Sequence, residues 1–134
     1  MKISLQDGLP YGTATIEFHG KQLSLDNVLI DTGSGGTVFS ADKLLAIDLQ
    51  LEPEDFIHRI RGVGGAEFVF TKRVNLLSLG ELAASDFEIE VGAMDYGFEL
   101  NGIIGTDFLL QAGAVIDLAN LDISAYKPGT QGNG

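Results

Sequence analysis

The chain contains no cysteine. That removes disulfides, zinc–thiolate sites and cysteine nucleophiles from consideration. Basic residues are scarce, with 8 Lys and Arg against 19 Asp and Glu, for a formal net charge of -11. A surface this acidic repels phosphate backbones and anionic lipid, so neither nucleic acid nor a charged membrane is an expected partner. No apolar run approaches the roughly 20 residues that span a bilayer. Met1-Lys2-Ile3-Ser4 carries no secretory hydrophobic region. With no signal or membrane segment the default expectation is a cytoplasmic location. The only histidines, His19 and His58, lack metal-ligand spacing. No metal and no cofactor is expected, and both histidines are read as surface or strand positions. The glycines at 33, 35 and 36 are not followed by Gly-Lys-Ser/Thr, which excludes a phosphate-binding loop.

What is present is one domain's worth of chain: 134 residues, 45% apolar and 20% charged. Glycine is abundant at 18 residues, without a repeat period, which points to many tight turns. Alternation of period two dominates. Residues 13–18 and 23–25 form an expected hairpin around His19-Gly20-Lys21. Val28-Leu29-Ile30 is a short buried strand that stops at Asp31-Thr32-Gly33. Ser40 is placed to cap a short helix, with Asp42 in its first turn. Residues 56–61 and 66–71 are expected strands around Gly62-Val63-Gly64-Gly65. Residues 74–79 and 87–91 form two more, with a turn near Gly80. Glu52-Pro53-Glu54-Asp55 reads as a solvated loop, and Phe68 and Phe70 as packing on one strand face. Residues 106–111 predict a helix closed by Gly113. Residues 114–117 and 121–125 are closing strands. Short strands with frequent turns and little helix indicate an all-β barrel or sandwich. The domain is expected over residues 1–126, with 127–134 as a disordered tail rich in Gly, Gln and Asn.

An Asp at the mouth of a buried strand is costly to ionise unless its oxygens accept hydrogen bonds. The backbone N–H groups of Gly33 and Ser34 and the Ser34 hydroxyl are the expected donors, and the last of these predicts an acid-shifted carboxyl. Taken alone, Asp31-Thr32-Gly33-Ser34 reads equally as an Asx-type turn, and the glycines at 62–65 as an ordinary hairpin tip. Asp107 and Asp117 are expected to cap a helix turn and end a strand rather than to pair with Asp31.

Taken together, these features resemble a known family. Leu29-Ile30-Asp31-Thr32-Gly33-Ser34, the glycine-rich hairpin Gly62-Val63-Gly64-Gly65 and the later Gly102-Ile103-Ile104-Gly105 with a short helix behind it follow the order of retropepsin-like aspartic peptidases. The resemblance covers residues 13–125. It implies a closed acid-protease barrel with one short C-terminal helix, and endopeptidase activity without a cofactor. Because the chain holds one Asp-Thr-Gly loop, it implies a homodimer in which two copies of Asp31 share one proton. The same resemblance gives Thr32 a bracing contact across the two-fold axis and Gly33 a contact with the substrate backbone. Residues 62–65 become a flap over a peptide substrate, and Ile103, Ile104 and Gly105 a support behind the catalytic loop. Retroviral members usually pair an acidic residue two positions after the motif glycine with an Arg after the later glycine. Here those positions hold Gly35 and Thr106, so the ion bridge is absent. Two other readings stay open: a catalytically silent relative used for dimerisation or peptide recognition, and an unrelated β-barrel binding module.

Overall fold

The structure, a computed structural model, describes residues 1–62, 65–95 and 99–129; for residues 60–62 and 65–67 it describes the backbone only. β1 (Ser4–Gln6) turns at Asp7-Gly8 into β2 (Leu9–Phe18). β2 turns at His19-Gly20 into β3 (Lys21–Ile30). Both residues of each turn have positive φ, which matches the right-handed twist of the flanking strands. Then come β4 (Val38–Ser40), α1 (Ala41–Leu44) and a single 3-10 turn, Leu45–Ile47. Ser40 Oγ accepts a hydrogen bond from the Lys43 N–H, as the sequence predicts for a cap. β5 (Ile57–Gly62), β6 (Gly65–Leu79) and β7 (Leu82–Gly92) form a meander. β8 (Gly102–Ile104) leads into α2 (Thr106–Ala112), which ends at Gly113 with φ of 67°. β9 (Ala114–Asp117) and β10 (Asp122–Ala125) close the chain as a separate hairpin.

Six strands close into a barrel in the order β2-β3-β8-β4-β7-β6, with β6 pairing back onto β2. Closure leaves no free edge among these six. β1 and β5 lie outside the ring, on β2 and β6. The alternation read from the sequence faces this interior: Ala14, Ile16 and Phe18 of β2 are buried, while Thr15 and Glu17 between them are half-buried. Phe39, Leu77, Leu79, Ile89, Ile104 and Phe108 are among the fully buried core. Phe87 and Phe108 meet edge-on with ring centroids 5.7 Å apart, a favoured aromatic geometry. The fold is the all-β closed barrel that the sequence predicts, with its C-terminal helix in place.

Four local expectations are corrected. β6 is one strand of 15 residues rather than two. β3 runs unbroken through Asp26-Asn27, which are absorbed where Asn27 takes φ of 53°. β1 and β4 are strands that the periodicity did not reveal, because three residues are too few to show alternation. The fourth correction concerns Glu52-Pro53-Glu54-Asp55, which is not simply solvated. Lys72, only 9% exposed, points from the core face of β6 to the carboxylates of Glu52 and Asp55. The Asp55 contact is 2.8 Å. Asp55 also accepts from the Glu52 N–H at 2.7 Å, which fixes the loop's shape. This explains the unbroken strand, since a charge in mid-strand needs its own partner when buried. Phe70 packs partly against the core as expected, whereas Phe68 is 69% exposed. Residues 130–134 of the expected tail lie outside the described residues.

The hydrogen bond from Lys72 holds the Asp55 carboxyl below its ordinary range, outweighing the opposing effect of burial. A carboxyl lowered in the folded state contributes stability above its unfolded pKa, lost as pH falls through the folded value. Asp55→Asn should therefore cost about 1–2 kcal/mol at neutral pH. The gap to wild type should hold down to about pH 4 and close only below it. Urea denaturation across that pH range measures it.

Candidate active site

Asp31 is the first residue past β3. Its strand pairs in parallel with β8, so that Val28, Leu29 and Ile30 lie opposite Gly102, Ile103 and Ile104. The Asp31 N–H donates to the Ile104 carbonyl at 2.9 Å, extending that ladder one step into the loop. The support segment expected from the sequence, Ile103-Ile104-Gly105, thus lies directly against the Asp31 strand. Successive side chains point to opposite sheet faces. Val28, Ile30 and Ile104 enter the barrel core. Leu29 and Ile103 instead join a second apolar cluster of Tyr11, Val38, Val69, Met94 and Leu100. An apolar wall therefore begins two residues before Asp31.

The loop carries its donors in a different arrangement from the expected one. The Gly33 N–H donates to Asp31 Oδ1 at 2.9 Å, as predicted. The Ser34 N–H does not reach the carboxylate; it donates to the Asp31 carbonyl at 3.1 Å. The Ser34 hydroxyl also turns away and donates to the Gly36 carbonyl at 2.8 Å. This hydroxyl braces the turn internally and is not the donor to Asp31 that the sequence leads one to expect. Thr32 and Gly33 are exposed and Asp31 is half-buried.

Behind the loop, α2 supplies the anchor. The Thr106 N–H and hydroxyl both donate to the Ser34 carbonyl, at 2.8 and 3.1 Å. The Thr37 N–H and hydroxyl both reach the Asp107 carboxylate, at 3.2 and 2.7 Å. Thr37, 1% exposed, also accepts from the Gly105 N–H at 3.0 Å. Gly105 is pressed against the loop so closely that a Cβ would lie 2.8 Å from the Ser34 carbonyl oxygen and 2.7 Å from the Gly36 carbonyl carbon. This network stands where an ion bridge between positions 35 and 106 is missing. Thr37 and Asp107 are the residues that the sequence reading missed. Asp107 was assigned only to a helix turn, and nothing local to Thr37 marks a partner 70 positions away.

Asp107 is thus engaged with Thr37 and with the Phe108 N–H. Asp117 accepts from the Asn120 side chain and backbone, which hold it below the ordinary carboxylate range. Neither is turned to Asp31, as the sequence predicts. His19 stacks on Phe18 at a turn, and His58 lies on β5. Of the flap expected at residues 62–65, Gly62 and Gly65 are paired as the last residues of β5 and the first of β6, while Val63 and Gly64 lie outside the described residues. The root of this hairpin borders a cleft of about 380 Å³ lined by Gly36, His58, Thr71, Glu88, Glu90 and Asp107. Among the described residues no group of His, Asp or Glu is placed to hold a metal ion, and no helix is long and apolar enough to cross a membrane.

With this geometry in hand, comparison with known families is informative. Residues 14–108 match the aspartyl protease family, over well more than half of the chain. The chain belongs to that family, in its retropepsin-like form, a class of aspartic-type hydrolases. No curated protein matches the chain.

Thr37→Val removes the acceptor for the Gly105 N–H and a donor to Asp107. Leaving buried polar groups unmatched should cost about 2–3 kcal/mol, and Thr37→Ser should restore most of it; thermal denaturation of both variants decides. Gly105→Ala should cost a similar amount, about 2–3 kcal/mol, because backbone rather than a movable side chain blocks the added methyl group. A variant with unchanged melting temperature would contradict the packing described.

Proposed function

We propose that this chain is an aspartic endopeptidase whose active site is completed by a second copy of itself. One observation carries the reading: Asp31-Thr32-Gly33 is held rigidly from behind by β8 and α2, yet its own face is open. Asp31 is half-buried, Thr32 and Gly33 are exposed, and the two carboxylates weighed from the sequence as intrachain partners, Asp107 and Asp117, are engaged elsewhere. A surface that repeats on a two-fold axis would meet its own copy there. Residues 1–126 would constitute the peptidase domain.

In that pair the two Asp31 carboxyls would lie about 3 Å apart and hold one proton between them, since two like charges that close do not both ionise. The ionised member takes a proton from a water positioned between them. The protonated member gives its proton to the scissile carbonyl oxygen; the other, now carrying the water's proton, gives it to the leaving amine, and the collapsing diol returns a proton to the first. The pair titrates as a unit. The Gly33 N–H on Asp31 Oδ1 orients the carboxyl for this work. Thr32 would brace the two loops across the axis. Gly33 would meet the peptide backbone, and Ser34 would stiffen the turn through its hydroxyl bond to Gly36. Residues 62–65 would close over the peptide and exclude water. The partly buried Leu29 and Ile103, backed by the buried Val38 and Val69, would receive apolar substrate side chains. The reaction so described needs no cofactor.

Digestion of an unfolded protein between about pH 4 and 7 tests the reading, because a shared-proton dyad works in that range. Asp31→Asn should fold normally, since the amide oxygen still accepts from Gly33, and should lose activity by about 10²–10⁴-fold. Each chain carries -11, so two carry -22. Sedimentation should accordingly report a dimer that tightens as salt is raised. If wild type and Asp31→Asn are equally inert and the protein stays monomeric at every salt concentration, the catalytic reading fails and a silent relative remains.

A further inference from the structure

β6 leads two lives. Its last four residues, 76–79, are flanked on both sides, by β7 and by β2. Pairing with β7 reaches only as far as Phe70 opposite Val91. Before that point, among the described residues, β6 is paired with β5 alone, with Gly62 to Ile57 opposite Gly65 to Phe70. The two strands therefore leave the barrel as an arm. A two-stranded ribbon is marginal by itself and needs support at its root. One face of the arm gives little: Ile57 and Phe68 are 60% and 69% exposed. The other face carries His58 toward the cleft and seats Val69 in the second apolar cluster.

Lys72 stands at that root, two residues inside the point where β6 leaves the barrel. It is the one buried charged side chain among the described residues. The loop that feeds the other strand of the arm holds it, through Glu52 and Asp55. Burial alone would push the ammonium's pKa down; its hydrogen bonds to the Asp55 and Glu52 carboxylates overcome this and raise it. A single charged cluster thus ties both strands of the arm to the barrel.

We propose that Lys72, gripped by Glu52 and Asp55, is the hinge clamp of the β5–β6 arm, a positioning residue that sets how firmly the arm is held at the cleft it shares with Gly36 of the Asp31 loop. The catalytic part of this proposal rests on the peptidase reading above; the mechanical part does not. A protein whose binding-competent state is less populated binds substrate more weakly in proportion. Releasing the clamp should then raise KM more than it lowers kcat, because the Asp31 loop is anchored separately by β8 and α2.

The test uses the full chain with Lys72→Met, which keeps length and apolar packing while removing the charge. Amide hydrogen exchange in residues 57–62 and 65–69 should accelerate about tenfold, with residues 74–79 and 82–91 unchanged. KM for a peptide substrate should rise about three- to tenfold, and Lys72→Arg should restore both readouts. Uniform acceleration through all strands would mean a merely structural role and would overturn the proposal. Unchanged exchange in the arm would overturn it too. Should Lys72→Met fail to fold, Glu52→Gln removes one half-exposed partner and should speed exchange in the same segment, to a lesser degree; no change there sinks the clamp. If the wild type proves to have no peptidase activity, the functional reading falls, while the exchange pattern still decides the clamp.

Discussion

The docking of the 33–37 loop onto the start of α2 is the constraint from which the site follows. Five groups meet there: the Ser34 carbonyl, Thr106, the buried Thr37 hydroxyl, the Gly105 N–H and the Asp107 carboxylate. Each donor has an acceptor, which is the condition for burying so much polarity at low cost. The closeness of Gly105 to the loop's carbonyls makes the contact one of backbone on backbone. It admits little adjustment. Asp31 is consequently presented by a rigid frame rather than by a flexible loop, as a reacting group requires.

That frame answers a question raised by the sequence. In retroviral relatives an ion bridge spans the two positions that hold Gly35 and Thr106 here. The loss of both partners leaves no stranded charge. Neutral bonds from Thr106 to Ser34, with the Thr37–Asp107 pair beside them, hold the same elements together. Such bonds depend little on salt, whereas an exposed ion pair is screened.

Charge is handled differently at the other end of the cleft. Lys72 is buried with two carboxylates drawn from a loop that looks solvated in sequence. One cluster gathers neutral donors around a single carboxylate, Asp107, and holds the Asp31 loop; the other is an ion cluster and holds the root of the β5–β6 arm. The two are separate in the fold, so the site's fixed and movable parts can be tuned independently. The fold class and the family, an all-β barrel of the aspartyl protease kind, were legible from alternating strands and from three glycine-containing segments in order. The strands that periodicity missed, β1 and β4, are each three residues long.

Local chemistry determined much of this protein from sequence alone. Both residues of the His19-Gly20 turn, the Ser40 cap and the Gly113 helix end follow from backbone preferences that act over a few residues. So does the placement of Asp31 at the end of an apolar strand. Tertiary structure decided what depends on partners distant along the chain. It turned the Ser34 hydroxyl away from Asp31, joined Thr37 to Asp107 and drew Glu52 and Asp55 onto Lys72. The physical reason is common to all three. A hydroxyl or a charge has no periodicity to betray it, and its partner is chosen by which groups folding leaves unsatisfied at the same place.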